Sequence, residues 1–201
     1  MNKVILASGL AAMAAGAQAM LIIDPTPGNL PGTENVLFNE GGLIATGPLV
    51  QGVISNSDTT VDFFGAGEDL ETPPGGQARV TALDGALMAL TTKMTDPTLG
   101  IAAYQLNINA KVNCDVTIDL YELGVITHTE TFTVDSGGSN WFKIYGDAGE
   151  VMSQVSFTAT GEVLDFRQNR IGAAPAPVPE PSALLGLGVG LAMLLRRRVK
   201  K

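Results

Sequence analysis

The chain has 201 residues, a formal net charge of −8, one cysteine, one histidine and 5% aromatic residues. Between Met20 and Val178 stand 19 acidic and 6 basic residues, a net of −13, so the clustered basic face that nucleic acid requires is missing and nucleic acid is not a partner. One thiol, Cys114, closes no intrachain disulfide and builds no cysteine zinc site, and one histidine, His128, rules out a histidine metal cluster.

The first 19 residues read as a secretory signal for the Sec export machinery. Lys3 is the charged start, Val4 to Ala17 is apolar, and Ala17-Gln18-Ala19 is a small-x-small cleavage site that places the mature N-terminus at Met20. Asp24 to Gly32 is turn chemistry throughout and predicts a lead-in without regular structure. Short strand-like pieces follow at Asn35–Phe38, Leu49–Ile54 and Thr59–Phe64, with Gly65 to Gly76 as a long polar loop. Ala78–Leu83 and Ala86–Met94 flank Asp84-Gly85, a pair that favours a type I′ hairpin turn. A helix over Leu83–Met94 competes, because Ala, Leu and Met are good helix formers; Asp-Gly and Thr91-Thr92 favour the strand.

Tyr104 to Leu120 carries the clearest period. Tyr104, Leu106, Ile108, Ala110, Val112, Cys114, Val116, Ile118 and Leu120 share one parity, and Gln105, Asn107, Asn109, Lys111, Asn113, Asp115, Thr117 and Asp119 the other. Such alternation means one buried and one wet face of an antiparallel sheet. The stretch exceeds one ordinary strand, so a parity-preserving turn is expected near Ala110–Asn113. Cys114 falls on the apolar parity and reads as a small buried hydrophobe. Val125–Val134 alternates again, with Thr127, Thr129, Thr131 and Thr133 on a solvent face. Trp141–Tyr145 is a strand with Phe142 and Ile144 opposite Trp141, Lys143 and Tyr145. Val151 to Ala159 alternates, Gly161-Glu162 is expected to turn, and Val163–Ile171 closes the domain. Gly172 to Val178 reads as an extended spacer of polyproline character. About ten to twelve short strands, with no helix in the mature part, predict an all-β antiparallel sandwich of jelly-roll type.

Signals for catalysis are weak. His128 has no nucleophile-elbow sequence to serve, and Gly65-Ala66-Gly67 has no helix pattern after it. The protein is therefore read as a non-enzyme without a cofactor. Asp58, Asp62, Glu68, Asp69 and Glu71 cluster around one loop and make calcium the one ion with donors at hand, although no EF-hand spacing occurs; no metal ligand is assigned. Trp141 and Tyr145 are the candidate stacking residues for a sugar ring, together with Tyr104. Asp165 and Arg167 are the polar partners, joined by Gln168 and Arg170. A carboxylate pair for glycan hydrolysis remains open, because no sequence rule pairs acids.

The end of the chain has three parts. Val178-Pro179-Glu180-Pro181 cannot be helix interior. Ser182 is a helix N-cap, and Ala183–Leu195 is an apolar run that as a helix is roughly 20 Å long. Arg196, Arg197 and Arg198, followed by Lys200 and Lys201, form a basic stop that the positive-inside bias places in the cytoplasm. This tail resembles the PEP-CTERM sorting signal of Gram-negative bacteria. The resemblance implies an exosortase as partner, processing near Pro179-Glu180-Pro181, and transfer to the cell surface or exterior. It also associates such proteins with extracellular matrix, exopolysaccharide and biofilm. The closing stretch Val155–Gly172, with its D-x-R-x-x-R-I-G ending, is similar to the last strands of secreted jelly-roll modules that precede such tails.

The expected organisation is a signal peptide at 1–19 and a β domain at 20–172. A Pro/Ala linker with the sorting motif follows at 173–181, then a transmembrane helix at 182–195 and a basic tail at 196–201. The expected role is that of an exported, exosortase-processed surface or matrix protein, held transiently at the inner membrane. A carbohydrate-binding module, with or without calcium, and a glycan-acting hydrolase are the alternatives.

Overall fold

The structure is a computed structural model that describes residues 20–38, 40–73 and 79–177. The signal segment with Ala17 and Ala19, the sorting motif Val178–Pro181, the apolar run and Arg196–Arg198 lie outside the described residues, as do residues 74–78 of the polar loop.

Thirteen strands are described: β1 (Leu21–Asp24), β2 (Glu34–Leu37), β3 (Thr46–Gly47), β4 (Leu49–Ile54), β5 (Thr60–Gly65), β6 (Leu70–Glu71), β7 (Arg79–Ala82), β8 (Leu87–Met94), β9 (Leu99–Ala110), β10 (Cys114–Glu122), β11 (Val125–Val134), β12 (Asn140–Gly146) and β13 (Gln154–Pro175). All their pairings are antiparallel. The fold is therefore all-β and antiparallel, as alternation predicts.

The layout is set by β13, which is long enough to belong to two places at once. Its first part, Val155 to Thr158, lies between β10 and β8. Its second part, Val163 to Pro175, pairs with β9 on one side and with β7 and β2 on the other. The path β13–β2–β4–β5–β8 returns to β13, so the sheet closes on itself like a barrel. Closure removes edges that would otherwise stand unpaired. β9, β12 and β1 extend one side, and β10 and β11 extend the other.

The two ends of β13 face each other across the core. Phe157 of the first part meets Tyr104 edge-on, with ring centroids 6.0 Å apart, and Phe166 of the second part at 5.1 Å. Leu90, Leu106, Ile108, Ile118 and Ile171 fill the space around them and are fully buried.

Several expectations need correction. No turn forms at Gly161-Glu162: β13 runs straight through, with a register irregularity between Thr158 and Val163. A Cβ at Gly161 would stand 2.8 Å from the Cβ of Cys114, so the glycine serves close passage of two segments and not a reversal. Gly172 to Pro175 is not spacer either, because Ala173, Ala174 and Pro175 pair with Ile101, Gly100 and Leu99. Asp84-Gly85 does turn, but β7 and β8 do not form a hairpin. β7 pairs with β6 and β13, and β8 with β5 and β13. Strands that part need no type I′ twist, and of the two turn residues only Gly85 takes a positive φ. β1 was not anticipated, because its short apolar run directly follows the signal segment.

Other expectations hold. The turn between β9 and β10 falls at 111–113, and parity survives it except at Val112, which is 49% exposed at the turn itself. Cys114 is buried, and burial pushes its thiol pKa up, away from reactivity. The β11 threonines are exposed and pair with β10: Thr131 with Thr117 at 2.9 Å, Thr129 onto Asp119 at 2.6 Å and Thr133 onto Asp115 at 2.8 Å.

Candidate functional site

The site grows from one face of the sheet made by β1, β12, β9 and the second part of β13. Residues paired across antiparallel strands share a face. One row runs Arg79–Arg167–Asn107–Trp141 across β7, β13, β9 and β12. A second runs Asn35–Arg170–Gln105–Lys143–Asp24 across β2, β13, β9, β12 and β1. Asp165 faces Asn109 in a third.

Arg167 and Arg170 are three apart in sequence, so in a regular strand they would lie on opposite faces. A bulge resolves this. β13 spends three steps between Arg167 and Arg170 while β9 spends two between Asn107 and Gln105. Gln168 takes a φ of 56° to make the bulge. The inserted residue has two consequences: both arginines reach one face, and Asn169 turns into the core, where its Oδ1 accepts the Tyr104 hydroxyl at 2.7 Å.

Trp141 lies on a groove and not in the core. The groove, about 330 Å³, has Gln105 as a buried member, Trp141, Gln168 and Arg170 around it, and Asn29, Asn35 and Leu37 from the N-terminal segment and β2. That volume is at the small end of the usual range for ligand pockets. Among the described residues no other aromatic ring stacks on Trp141. Arg170 is held rigidly: Nε donates to Thr33 Oγ1 at 3.3 Å, Nη1 to Asn35 Oδ1 at 3.1 Å and Nη2 to the Thr33 carbonyl at 3.0 Å. The lead-in is pinned by the Leu30 amide, which donates to Gln105 Oε1 at 2.6 Å. At the far end Lys143 Nζ lies 2.7 Å from Asp24 Oδ2, and its hydrogen bond, with that of Thr26, holds the Asp24 carboxyl below its usual range.

Next to the groove, Arg167 Nη2 donates to the Gly138 carbonyl at 2.8 Å, and Asn109 Nδ2 to Asp165 Oδ2 at 2.8 Å. Gly138 has a φ of 80°, and a Cβ there would run into the Arg167 guanidinium and the Asn109 amide. Gly138→Ala is expected to cost at least 1 kcal/mol in a urea melt, since alanine at positive φ destabilises by more than about 0.4–1 kcal/mol even without a clash.

Of the residues singled out from sequence, Trp141, Gln168 and Arg170 meet in the groove. Asp165 and Arg167 stand beside it in the adjoining rows. Tyr145 does not join them: it sits further along β12 opposite Ile22 and Ala103. Tyr104 is not a ligand contact at all, being fully buried. Gln105, Asn107 and Arg79 were missed. The first two fall on the parity that the sequence marks as wet, yet they are 2% and 4% exposed. The odd spacing D-x-R-x-x-R was the available signal for a bulge that gathers these side chains.

The acids proposed for calcium are spread out. Asp62 is buried in β5, and its Oδ1 accepts from Gln51 Nε2 at 2.9 Å and Thr95 Oγ1 at 2.7 Å. Glu68 accepts from the Met88 amide. Among the described residues no three His, Cys, Asp or Glu side chains converge. His128 Nε2 stands 3.5 Å from Glu130 on the exposed strand β11. Asp58 and Asp96 line a second groove with Thr59, Thr60, Thr95 and Leu99. The Asp96 carboxyl is held low by hydrogen bonds from the Thr98 amide and hydroxyl, opposite to the raised pKa that a general acid needs.

No protein-family model matches the chain, and no curated protein matches it. One solved structure is similar, the enzymatically active domain of bacteriophage CBA120 tailspike protein 4. It is 12% identical at a TM-score of 0.25, over 81% of this chain and 20% of the tailspike chain. The chain thus spans about a fifth of that protein's length, and a likeness at this TM-score bears neither on fold nor on function.

Proposed function

We propose that the protein is an exported, exosortase-processed component of the cell surface or extracellular matrix, whose β domain binds glycan without catalysis. The observation that carries the binding reading is the groove at Trp141. An indole is set beside the side-chain amides of Gln105, Gln168, Asn29 and Asn35 and the threefold-anchored guanidinium of Arg170, and among the described residues no carboxylate lines it. Aromatic faces and amides suit a sugar's C–H and O–H surfaces, while the lack of a lining acid supports binding over hydrolysis.

Two features of the ends support the sorting reading. The Met20 amide nitrogen lies 2.9 Å from Asp147 Oδ1, and β1 starts at the next residue. Cleavage after Ala19 would convert that amide into an ammonium already placed against a carboxylate. At the other end the sheet stops at Pro175, with the Ala176 amide bonded to the Thr98 carbonyl at 2.8 Å. The Pro-Glu-Pro motif then begins four residues beyond the last strand.

Two experiments test these readings. Trp141 is the sole tryptophan, so its fluorescence reports the groove directly. Dextran or mannan is expected to shift its emission and to pull the protein down, and Trp141→Ala to weaken pull-down at least tenfold. No response to any neutral or acidic polysaccharide would remove the binding reading. Replacing Pro179, Glu180 and Pro181 with alanines is expected to leave the protein in the membrane fraction. Released wild-type protein that still carries Lys201 would refute sorting.

A further inference from the structure

The β10–β11 hairpin ends in an apolar tip. Leu123 is 58% exposed, Val125 65% and Ile126 50%. Nine large hydrophobics stand exposed among the described residues, and these three fall within four consecutive positions. Scattered exposed hydrophobics are ordinary, whereas a contiguous group marks an interaction site. Further along β11 the exposed side chains are polar: Thr129, Glu130, Thr131 and Thr133. The backbone of the tip is strained as well. Leu123 has a φ of 50° and Gly124 of 80°, the positive angles that a type I′ turn requires. Asn, Asp or Gly suits the first of these positions, and leucine there is strained. An exposed leucine gains little burial to offset that strain, so its role lies outside the fold.

The tip stands at the end of the domain from which the chain leaves. Ala173 pairs with Ile101, and Ile101 bridges to Met152. The next residue, Ser153, holds the hairpin: its amide donates to the Tyr121 carbonyl at 2.7 Å, and its Oγ accepts from the Gly124 amide at 3.0 Å. The Ala176 amide is bonded to Thr98 at the same end. The start of β1 is there too, because Leu21 pairs with Gly146 and Tyr145 with Ala103, two residues from Ile101. The turn at 111–113 lies at the opposite end of β10, whose 9 residues span about 30 Å. On the sorting reading, both segments joined to the tip's end belong to the membrane: the secretory signal before Met20 and the apolar run Ala183–Leu195. From Ala176 to Ser182 the chain reaches at most about 20 Å when fully extended. The domain is therefore held with this end toward the bilayer.

We propose that Leu123, Val125 and Ile126 form a membrane-contact tip, which enters the interface of a zwitterionic phospholipid bilayer while the C-terminal helix is in place. Glu122, beside the tip, and Asp147, beside Met20, are repelled by an anionic surface and suit the ammonium of a zwitterionic headgroup. The tip orients the domain and does not anchor it. Three such side chains carry less hydrocarbon than the single acyl chain that gives only marginal, reversible membrane binding, so processing at Pro179-Glu180-Pro181 frees the domain. This rests on the sorting reading above and adds a lipid contact to it.

The test uses the full chain reconstituted in phosphatidylcholine–phosphatidylethanolamine vesicles. Val125→Cys carries a fluorescent thiol label, and Val112→Cys, exposed at the opposite end, carries the same label as control. Cys114 is buried and does not compete for the label. A shallow nitroxide lipid is expected to quench the label at 125 roughly threefold more than that at 112, as befits insertion at the headgroup–acyl boundary. Adding Leu123→Asn and Ile126→Thr is expected to bring the two positions level. Leu123→Asn alone is expected to melt at or above the wild-type temperature, because asparagine accepts a positive φ more readily than leucine. Equal quenching at 125 and 112 overturns the tip and leaves the anchor standing. So does a label at 125 that is shielded from water yet unquenched, which places Ala183–Leu195 or a second copy on the tip instead of lipid. Unchanged quenching in the double variant, or a melting temperature of Leu123→Asn well below wild type, also overturns it. Failure of the full chain to float with the vesicles overturns the sorting reading and the tip with it.

Discussion

Phe157→Ala is expected to remove about 3–5 kcal/mol of stability, the range for truncating a buried aromatic ring. A domain of this size is ordinarily stable by about 5–15 kcal/mol, so about a fifth or more would be lost to one side chain. The reason is position. Phe157 is 1% exposed, pairs laterally with Ile118 and Leu90, and touches the rings of Tyr104 and Phe166 on the opposing layer. It is where the first part of β13 presses on the second. Its neighbours Ile118, Leu90, Tyr104 and Phe166 are themselves buried on strands, which puts the cost toward the upper end of the range. Thr158, the next residue, points outward and is exposed. Thr158→Ala is expected to stay within about 0.5 kcal/mol of wild type. Urea melts of the two variants check both the core and the parity of β13. A Phe157→Ala cost under 1 kcal/mol would mean that the two parts of the strand do not face each other.

The same strand shows where sequence reasoning reaches its limit. Period-2 alternation was legible wherever one face meets core and the other meets water, as in β10 and β12. It also placed the turn at 111–113 correctly. It failed where a polar face is covered. Gln105 and Asn107 look solvated from sequence, but the Asp24–Gly32 lead-in and the neighbouring arginines cover them, and covering by a segment some 75 residues away in sequence leaves no local signature. It failed again at Gly161, because glycine serves both turns and close approaches, and only the position of Cys114 decides between them. The Asp-Gly pair misled for a related reason: turn chemistry fixes a reversal, whereas pairing of the flanking strands depends on which other strands compete for their edges. The site itself was half legible. Trp141, Asp165, Arg167, Gln168 and Arg170 were nominated by residue type, but the bulge that brings them to one face alters parity without changing composition.

That bulge also underlies the strongest pH effect expected of the molecule. It turns Asn169 inward, and Asn169, Tyr104 and Thr92 form a polar chain with each residue fully buried. The Tyr104 hydroxyl donates to Asn169 Oδ1 at 2.7 Å and lies 3.3 Å from Thr92 Oγ1. Tyr104→Phe removes the donor from a buried acceptor and is expected to cost about 1–3 kcal/mol at pH 8. Burial, only partly countered by the Thr92 hydrogen bond, holds the Tyr104 pKa far above its ordinary 10.0. Above pH 10 the unfolded chain therefore releases the Tyr104 proton while the native chain keeps it. Native protein then binds more protons than unfolded protein, so stability falls as pH rises, by about 1.4 kcal/mol per unit from this one group. The contribution is whole below pH 10 and has shrunk by about 2–3 kcal/mol at pH 12. Tyr104→Phe has no such proton to lose, and the remaining tyrosines and lysines are common to both proteins. The advantage of wild type over Tyr104→Phe is thus expected to be constant from pH 8 to about 9.5 and to vanish or reverse by pH 12. Urea melts of the pair across that range measure it. A gap that stays constant to pH 12 would show that Tyr104 ionises in the native protein, and hence that the strand carrying Asn169 does not seal it from water.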